Sequence, residues 1–216
     1  TVMAGFLETI ETAGFSDAEL NHKALTHLHN QTQRMQRLVD DLLTLSRLED
    51  GHNKLQTTAI DVPSLIAALK HDAEQLSRGQ HRIVVQLGKE WLQGNQSEIT
   101  SAFSNLINNA VRYTPPGSEI QVSWQREGNG LVFKVSDNGE GIAPEHIPRL
   151  TERFYRVDRG RSRASGGTGL GLAIVKHVLM RHGARLDISS AQDASHHGTT
   201  FAAVFPENRL ATSPSG

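Results

Sequence analysis

The chain has 216 residues, 37% of them hydrophobic and 21% charged, which is enough apolar material for one or two globular cores. Its 22 basic residues are balanced by 23 acidic ones, so no overall basic field favours nucleic acid or an anionic membrane as a partner. The absence of cysteine excludes disulfides, thiolate catalysis and cysteine-bound metals, and no apolar run reaches the roughly 18 residues of a membrane span.

An amphipathic helical pattern is already present at the start of the chain. Met3, Phe6, Ile10 and Ala13 recur at helical spacing, and Gly14 is a suitable residue to end this helix. Because the chain begins with threonine and within this pattern, we expect it to be a piece of a longer protein.

A second helix is predicted from about Asp17, a good N-cap residue, to about Glu49. Its apolar residues follow two heptad positions, and Leu38 and Leu45 broaden them into a wide stripe. The heptad positions hold Leu25, Thr32, Val39 and Ser46 on one side and Leu28, Met35 and Leu42 on the other. Two antiparallel helices cannot bury so wide a stripe, so residues 1–51 are predicted to form a helical hairpin that dimerises into a four-helix bundle. The alternative is a hairpin that covers the domain following it.

A second domain is predicted over residues 61–208, after a polar linker at 52–60 and before a tail at 209–216. Helices are expected at 61–79, at 96–113 after a cap at Asn95, and from the glycine-rich segment near 167 to His182. Strands are expected at 82–87, 91–92, 120–126, 131–136, 185–190 and 199–205. This order predicts an α+β class, an α/β sandwich with helices on one face of a mixed sheet.

Three asparagines interrupt the apolar pattern of the long helix at 96–113. Asn105 and Asn109 are four residues apart and share a face, and Arg112 lies one turn beyond Asn108 near the same edge. Asparagine is a poor helix former, so local helix propensity is sacrificed here. Neutral amide oxygens beside a cation suit a magnesium phosphate, because Mg²⁺ takes few protein ligands and keeps phosphate and water around it. The alternative is a solvated polar face.

The segment DNGEGI, residues 137–142, directly follows a predicted strand. Asp137 is a fixed acceptor at the strand end, and Gly139 and Gly141 allow the backbone to approach a ligand closely. A carboxylate in this position can accept a hydrogen bond from an exocyclic amine. The same letters also form ordinary turns at strand ends.

A glycine-rich segment, GGTGLGLAIV at 166–175, opens an apolar helix. Successive backbone N–H groups at a helix N-terminus bind phosphate oxygens. A dinucleotide-binding fingerprint fits poorly, because no strand immediately precedes the loop and no ribose-binding acid follows it. The preceding run, ERFYRVDRGRSR, is either a solvated loop or a mobile lid that closes over phosphates. Its arginines are Arg153, Arg156, Arg159, Arg161 and Arg163.

Taken in this order, these segments resemble the N, G1, F, G2 and G3 boxes of sensor histidine kinases. The ATP-binding domain of that family has the Bergerat fold, shared with gyrase-type ATPases and heat-shock chaperones. The resemblance covers nearly the whole chain and implies ATP and Mg²⁺ as ligands, with Asn105 and Asn109 holding the metal and Asp137 accepting the adenine amine. The implied ATP-binding residues are Asn105, Asn109, Arg112, Tyr113, Asp137, Gly139, Gly141, Ile142, Phe154, Tyr155, Arg156, Gly167, Thr168, Gly169, Leu170, Gly171, Leu172 and Thr199. Arg112 stands where lysine is more usual, and Gly198 with Thr199 matches the last box.

The segments APEHIPRLTERFYRVDRGRSR and QTQRM resemble the phosphate-regulon branch of that family. The branch implies a cytoplasmic domain of a bacterial inner-membrane protein, which reaches the membrane only through upstream segments. The implied partners are a second copy, bound through the hairpin, and an OmpR-like response regulator that is phosphorylated on aspartate; nucleic acid is not expected. The phosphoacceptor histidine is expected upstream of Thr1, so this chain is expected to bind ATP and dimerise without autophosphorylating.

Two other functions remain open on the sequence alone. One is another Bergerat-fold ATPase that hydrolyses ATP to drive a conformational change, and the other is a non-catalytic ATP-binding module for dimerisation and docking. The hairpin and the arginine-rich lid argue against the first, and the intact glycine motifs argue against the second.

Overall fold

The computed structural model describes residues 18–50, 54–157, 167–193 and 196–213. The predicted opening helix over residues 1–13, the arginines Arg159, Arg161 and Arg163, and the last residues of the predicted tail lie outside these ranges. The helices are α1 (Ala18–Glu49), α2 (Val62–Ser77), α3 (Gln96–Tyr113) and α4 (Gly171–Arg181). The strands are β1 (Thr58–Ile60), β2 (Arg82–Leu87), β3 (Trp91–Gly94), β4 (Glu119–Glu127), β5 (Gly130–Asp137), β6 (Arg185–Asp193), β7 (His196–Pro206) and β8 (Leu210–Ala211).

The helix starts follow from local capping chemistry. The Asp61 carboxylate accepts a hydrogen bond from the Ser64 backbone N–H at 3.2 Å, and Pro63 lies in the first turn of α2. The Asn95 side chain caps α3 in the same way, accepting from the Glu98 backbone N–H at 3.1 Å. Both starts match the prediction because side-chain caps are local in sequence.

A mixed five-stranded sheet has the order β2-β4-β5-β7-β6. Strands β2 and β4 are parallel, and the other neighbours are antiparallel. The β4–β5 hairpin pairs Glu127 with Gly130, so its turn is Gly128 and Asn129, as the sequence predicts. The predicted fold class, helices with a mixed sheet, is confirmed.

A second, smaller sheet has the order β1-β3-β8. Strand β1 lies within the segment 52–60, which was predicted to be a linker, and β8 lies within the predicted tail at 209–216. These strands have three and two residues, too few to display an alternating pattern. Each is held by pairing with β3, a partner distant in sequence.

One apolar core joins the larger sheet to α2, α3 and α4. Phe103 of α3 stacks on Phe133 of β5 with ring centroids 3.8 Å apart, and Trp124 and Phe205 pack around this pair. Trp124 is fully buried, and its indole N–H donates to the Glu90 carbonyl at 2.8 Å. This core fixes α3 and α4 against the sheet.

Helix α1 joins the same core through one of its faces. Leu45 and Leu48 are buried in it and Leu38 packs at its edge. Leu38 and Leu45 were both predicted to broaden the bundle stripe. For Leu45 the prediction is wrong, because its side chain is 2% exposed and lies in the core, whereas Leu38 is only half-buried against that core. Another face of α1 leaves Met35, Val39 and neighbouring apolar residues exposed. No helix within the described ranges is long and apolar enough to cross a membrane.

Candidate functional site

A cavity of about 620 Å³ lies between α3, the loop after β5, residues 150–157, the loop before α4, and α1. Most of the residues predicted for the site line it: Asn105, Asn109, Arg112, Tyr113, Asp137, Gly141, Ile142, Tyr155, Arg156, Gly167, Thr168, Gly169, Gly171, Leu172 and Thr199. The fold thus brings together segments that are up to about 160 residues apart in the chain. A cavity of this size suits a nucleotide-sized ligand.

Three predicted residues do not line the cavity. Leu170 is fully buried, because its apolar side chain, at the start of α4, packs into the core. The Phe154 side chain is 56% exposed, and its backbone, at a φ of 62°, packs against Gly169. Gly139 contributes through its backbone N–H, which donates to the Asp137 carboxylate at 2.9 Å.

The asparagine face of α3 is oriented by hydrogen bonds within the helix. The Asn105 side-chain amide donates to the Ser101 carbonyl at 2.9 Å, which leaves its Oδ1 directed toward α4. A Cβ atom at Gly171 would lie 2.5 Å from this Oδ1, so a larger residue there would displace the Asn105 side chain. Asn108, also at the cavity, donates to the Ser104 hydroxyl at 3.1 Å.

Arg112 and Tyr113 lie at the end of α3 that faces the glycine-rich loop. Burial, and then the nearby charge of Arg37, hold the pKa of the Arg112 guanidinium below its ordinary value. The Tyr113 hydroxyl would lie 2.6 Å from a Cβ atom at Gly167, so the loop passes close to the tyrosine side chain here. This end of the cavity combines a guanidinium with the backbone of a helix N-terminus.

Asp137 lines the cavity from the end of β5. Burial raises the pKa of its carboxyl group, and hydrogen bonds from the Gly139 and Thr199 backbones and the Thr114 side chain oppose that rise. A half-buried carboxylate held by these donors is a rigid acceptor for a polar ligand group. Such a carboxylate can accept a hydrogen bond from an amine of a ligand.

The loop after β5 is fastened to the β6–β7 hairpin. The Ile142 backbone N–H donates to the Ser190 hydroxyl at 2.8 Å, and the His197 imidazole bonds the Gly139 carbonyl at 2.9 Å. A Cβ atom at Gly141 would lie 2.0 Å from the Ala191 carbonyl oxygen, and Gly141 has a φ of +73°. The glycine requirement therefore comes from loop packing as well as from ligand access. His197 lies in β7.

The segment 146–156 holds Tyr155 against the cavity. The Tyr155 hydroxyl lies 2.7 Å from His146 Nδ1, and the Arg149 guanidinium stacks over the tyrosine ring at 4.2 Å. These contacts position Arg156, the next residue, at the cavity wall.

Sequence reasoning missed two residues of α1 at this site. Arg37 and Asp41, one helical turn apart, line the cavity beside the glycine-rich loop. The Thr168 hydroxyl donates to the Asp41 carboxylate at 2.7 Å. No local pattern marks them, because charged residues on a long helix normally face solvent. The other unpredicted lining residues include Asn108, Thr114, Glu140 and Gln192.

The donor types decide which metal the site could hold. Within the described ranges, no group of three or more histidine, cysteine, aspartate or glutamate side chains is arranged to bind a metal. Asn105 and Asn109 instead supply neutral amide oxygens on the cavity wall. Such a sparse oxygen set fits Mg²⁺ that keeps phosphate and water ligands, and it does not fit zinc.

Comparison with known proteins agrees with this geometry. Residues 94–209 match the family of histidine kinase-, DNA gyrase B- and HSP90-like ATPases, and residues 1–51 match the His Kinase A phospho-acceptor domain. The phosphate regulon sensor protein PhoR of Pseudomonas aeruginosa is 45% identical over 214 residues, which are 98% of this chain and 47% of that protein. PhoR of Haemophilus influenzae is 38% identical over 208 residues, 96% of this chain and 48% of that protein.

A solved structure has a similar fold over nearly the whole chain. The histidine kinase AdeS of Acinetobacter baumannii superimposes with a TM-score of 0.74 at 24% identity, covering 96% of this chain and 94% of that one. The chain spans about half the length of the curated relatives described above.

Proposed function

Because the chain belongs to the sensor histidine kinase family, we propose that its cavity binds ATP and presents the terminal phosphoryl group to an acceptor histidine of the helical domain. One observation carries this proposal. Asp137, a half-buried carboxylate, and the N-terminus of α4, together with Arg112, line one nucleotide-sized cavity.

The part of the cavity around Asp137 recognises the adenine base. The carboxylate accepts a hydrogen bond from the exocyclic amine of adenine, and Ile142 and Thr199 line the cavity beside it. Guanine presents a carbonyl oxygen where adenine presents this amine, so the carboxylate repels it. Base choice therefore depends on a charge-assisted hydrogen bond.

The N-terminus of α4, at the cavity, binds the phosphates of ATP. Backbone N–H groups around Gly169 and Gly171 point out of the N-terminus of α4, where the helix dipole favours an anion. Arg112 and Arg156 add positive charge to the same cavity. The protein's contribution to transfer is thus positioning and charge stabilisation.

Asn105 and Asn109 would hold Mg²⁺ at this end. The fit rests on the orientation of Asn105, whose amide nitrogen is occupied by the Ser101 carbonyl and whose oxygen is therefore the free ligand atom. When bound, Mg²⁺ supplies neutralisation of phosphate charge.

In the transfer step, the lone pair of a neutral acceptor imidazole nitrogen attacks the γ-phosphorus. The bond from that phosphorus to the bridging β–γ oxygen breaks, and ADP leaves with its electron pair. The other imidazole nitrogen gives its proton to solvent. A response regulator of the OmpR-like class then receives the phosphoryl group on an aspartate, in signalling of phosphate limitation. The similarity to the phosphate regulon sensor proteins supports that signal.

The active form is a homodimer. The exposed apolar residues Met35, Val39 and Leu42 of α1 meet their counterparts in a second copy, which completes a four-helix bundle. As part of the same proposal, the chain is the cytoplasmic portion of a bacterial inner-membrane sensor.

Changing Asp137 to alanine tests the proposed recognition of adenine. We expect Asp137→Ala to weaken ATP binding by about 10- to 150-fold, because it removes a charge-assisted hydrogen bond of roughly 1.5–3 kcal/mol. Isothermal titration of the full chain with ATP measures the change. Asp187→Ala, an exposed carboxylate on β6, is the control, and equal affinity in the two variants would contradict the assignment.

Changing Asn109 to alanine tests the proposed Mg²⁺ ligation. We expect Asn109→Ala to lower ATP affinity about tenfold in Mg²⁺ and less than twofold in EDTA, because only the metal-bound nucleotide loses a contact. The same titration in the two buffers measures this difference. Equal losses with and without metal would argue against Mg²⁺ ligation by Asn109.

A further inference from the structure

Helix α1 forms one wall of the nucleotide cavity. Asp41 is hydrogen-bonded to Thr168 of the glycine-rich loop, and Arg37, one turn earlier, lines the cavity beside it. Leu45 and Leu48 bury the next turns of α1 against the core. The position of Arg37 is therefore fixed by packing and by a hydrogen bond on the same helix.

Polar contacts at the C-terminal end of α1 also hold this helix beside the cavity. Glu49 forms an ion pair with Arg153, and its carboxylate lies 3.3 Å from His177 of α4. Together with Asp41–Thr168, these contacts hold α1 at both ends of the segment that faces the cavity. The wall is thus built from several independent contacts.

The charges at this wall are arranged for an anion. Arg37 and Arg112 approach one cavity from different helices, and the charge of Arg37 contributes to the lowered pKa of Arg112. Two guanidinium groups around one cavity repel each other, which costs stability unless an anion lies between them. Asp41 supplies one negative charge, but its carboxylate also accepts the Thr168 hydroxyl. A polyphosphate fits this arrangement.

We infer that Arg37 is a further nucleotide-binding residue, which contacts the terminal phosphate of ATP and so distinguishes ATP from ADP. The inference rests on the proposed function. Arg37 lines the cavity one turn from Asp41, which bonds Thr168 of the glycine-rich loop, whereas Asp137 lies at the end of β5. In the proposed transfer the terminal phosphate faces the helical part of the protein, and α1 is the helix of that part that lines the cavity. A guanidinium is suited to this contact since it binds phosphate oxygens in pairs.

The test compares ATP with ADP on the full chain. Arg37→Gln is expected to weaken Mg-ATP binding about tenfold and Mg-ADP binding less than twofold, the loss of one charge-assisted contact to the terminal phosphate. Arg37→Lys, which keeps the charge but not the paired geometry, is expected to fall between. Arg34→Gln is the matched control, since Arg34 is on the same helix one turn earlier and does not line the cavity.

Calorimetric titration gives both affinities, and circular dichroism with thermal melting confirms that each variant is folded. Equal losses for ATP and ADP, or an Arg37→Gln variant that matches Arg34→Gln, would overturn the inference while leaving ATP binding intact. If the unmodified chain bound neither nucleotide, the proposed function itself would fail, and the inference with it. A selective loss of ATP affinity in Arg37→Gln would support it.

Discussion

His182 shows how one buried side chain can join two helices. It is fully buried just after α4, where its Nε2 accepts the Asn95 backbone N–H at 3.0 Å. Its Nδ1 must then carry the proton, which it donates to the Val178 carbonyl at 2.8 Å. The neutral imidazole thus closes the end of α4 and supports the cap of α3.

Burial lowers the pKa of His182 below its ordinary value of 6.5, although the nearby Glu98 opposes this and Arg209 and Arg181 add to it. Below about pH 6.5 the unfolded chain therefore binds a proton that the folded chain does not. We expect stability to fall from pH 6.5 to 5.5 by up to about 1 kcal/mol more in the unmodified chain than in His182→Gln. Urea unfolding at these pH values measures the difference.

The control for this prediction is His71→Gln, since His71 is exposed on α2. That variant should follow the pH dependence of the unmodified chain. Parallel curves for His182→Gln and the unmodified chain would show that His182 does not govern acid stability.

At single positions, the sequence predicted which residues belong to the site better than it predicted why each residue is needed there. Asp137 was predicted as a ligand acceptor and does line the cavity. Gly141 was predicted for ligand access, yet its most severe contact is with Ala191, fifty residues later. A local motif cannot reveal that contact, because it depends on where the β6–β7 hairpin lies.

Helix α1 has two apolar faces with different environments. Leu45 is 2% exposed against α4, whereas Val39 is 54% and Leu42 is 44% exposed. The heptad pattern predicted the exposed stripe but did not separate it from the packed face. Residues three and four apart on a helix are neighbours, so the two faces overlap in a one-dimensional pattern.

Disrupting the exposed stripe should separate the proposed dimer. We expect the double variant Val39→Lys with Leu42→Lys to be a monomer, because charges at paired heptad positions cannot be buried without a partner. Light scattering with sedimentation equilibrium measures the mass. Leu76→Lys, at a 42% exposed leucine on α2, is the control and should match the unmodified chain. A double variant that remains dimeric would contradict the interface.

Elements with caps were predicted well, and elements held only by pairing were not. Asn95 and Asp61 marked the starts of α3 and α2 because capping is a local interaction. Strands β1 and β8 were missed because they depend on β3, a partner more than 30 residues from β1 and more than 100 from β8.

For the whole molecule, the main unexpected feature is that α1 belongs to the same apolar core as the sheet and the other helices. Leu45 and Leu48 join this core, and polar contacts at Asp41 and Glu49 flank them. The helical and nucleotide-binding parts are therefore packed together in this arrangement. The alternative left open by the sequence, a helix that covers the next domain, describes one face of α1.

Removing the Leu45 side chain should weaken this packing. We expect Leu45→Ala to lower the free energy of unfolding by about 2–5 kcal/mol, the cost of losing a buried leucine and leaving a cavity. Denaturant unfolding at low protein concentration measures it. Met180→Ala, at a residue of α4 that is 62% exposed, should change stability by about 0.5 kcal/mol or less. Similar losses in both variants would mean that α1 is not docked as described.

The sequence by itself determined the family motifs, the bounds of the capped helices and most of the residues that line the cavity. These features depend on short-range chemistry: caps, periodicity, and glycines at turns. Only the tertiary structure decided that α1 closes the cavity, where Asp41 meets Thr168 across 127 residues of sequence. Such a contact depends on the packing of distant helices on one core, and no local pattern of residues encodes that packing.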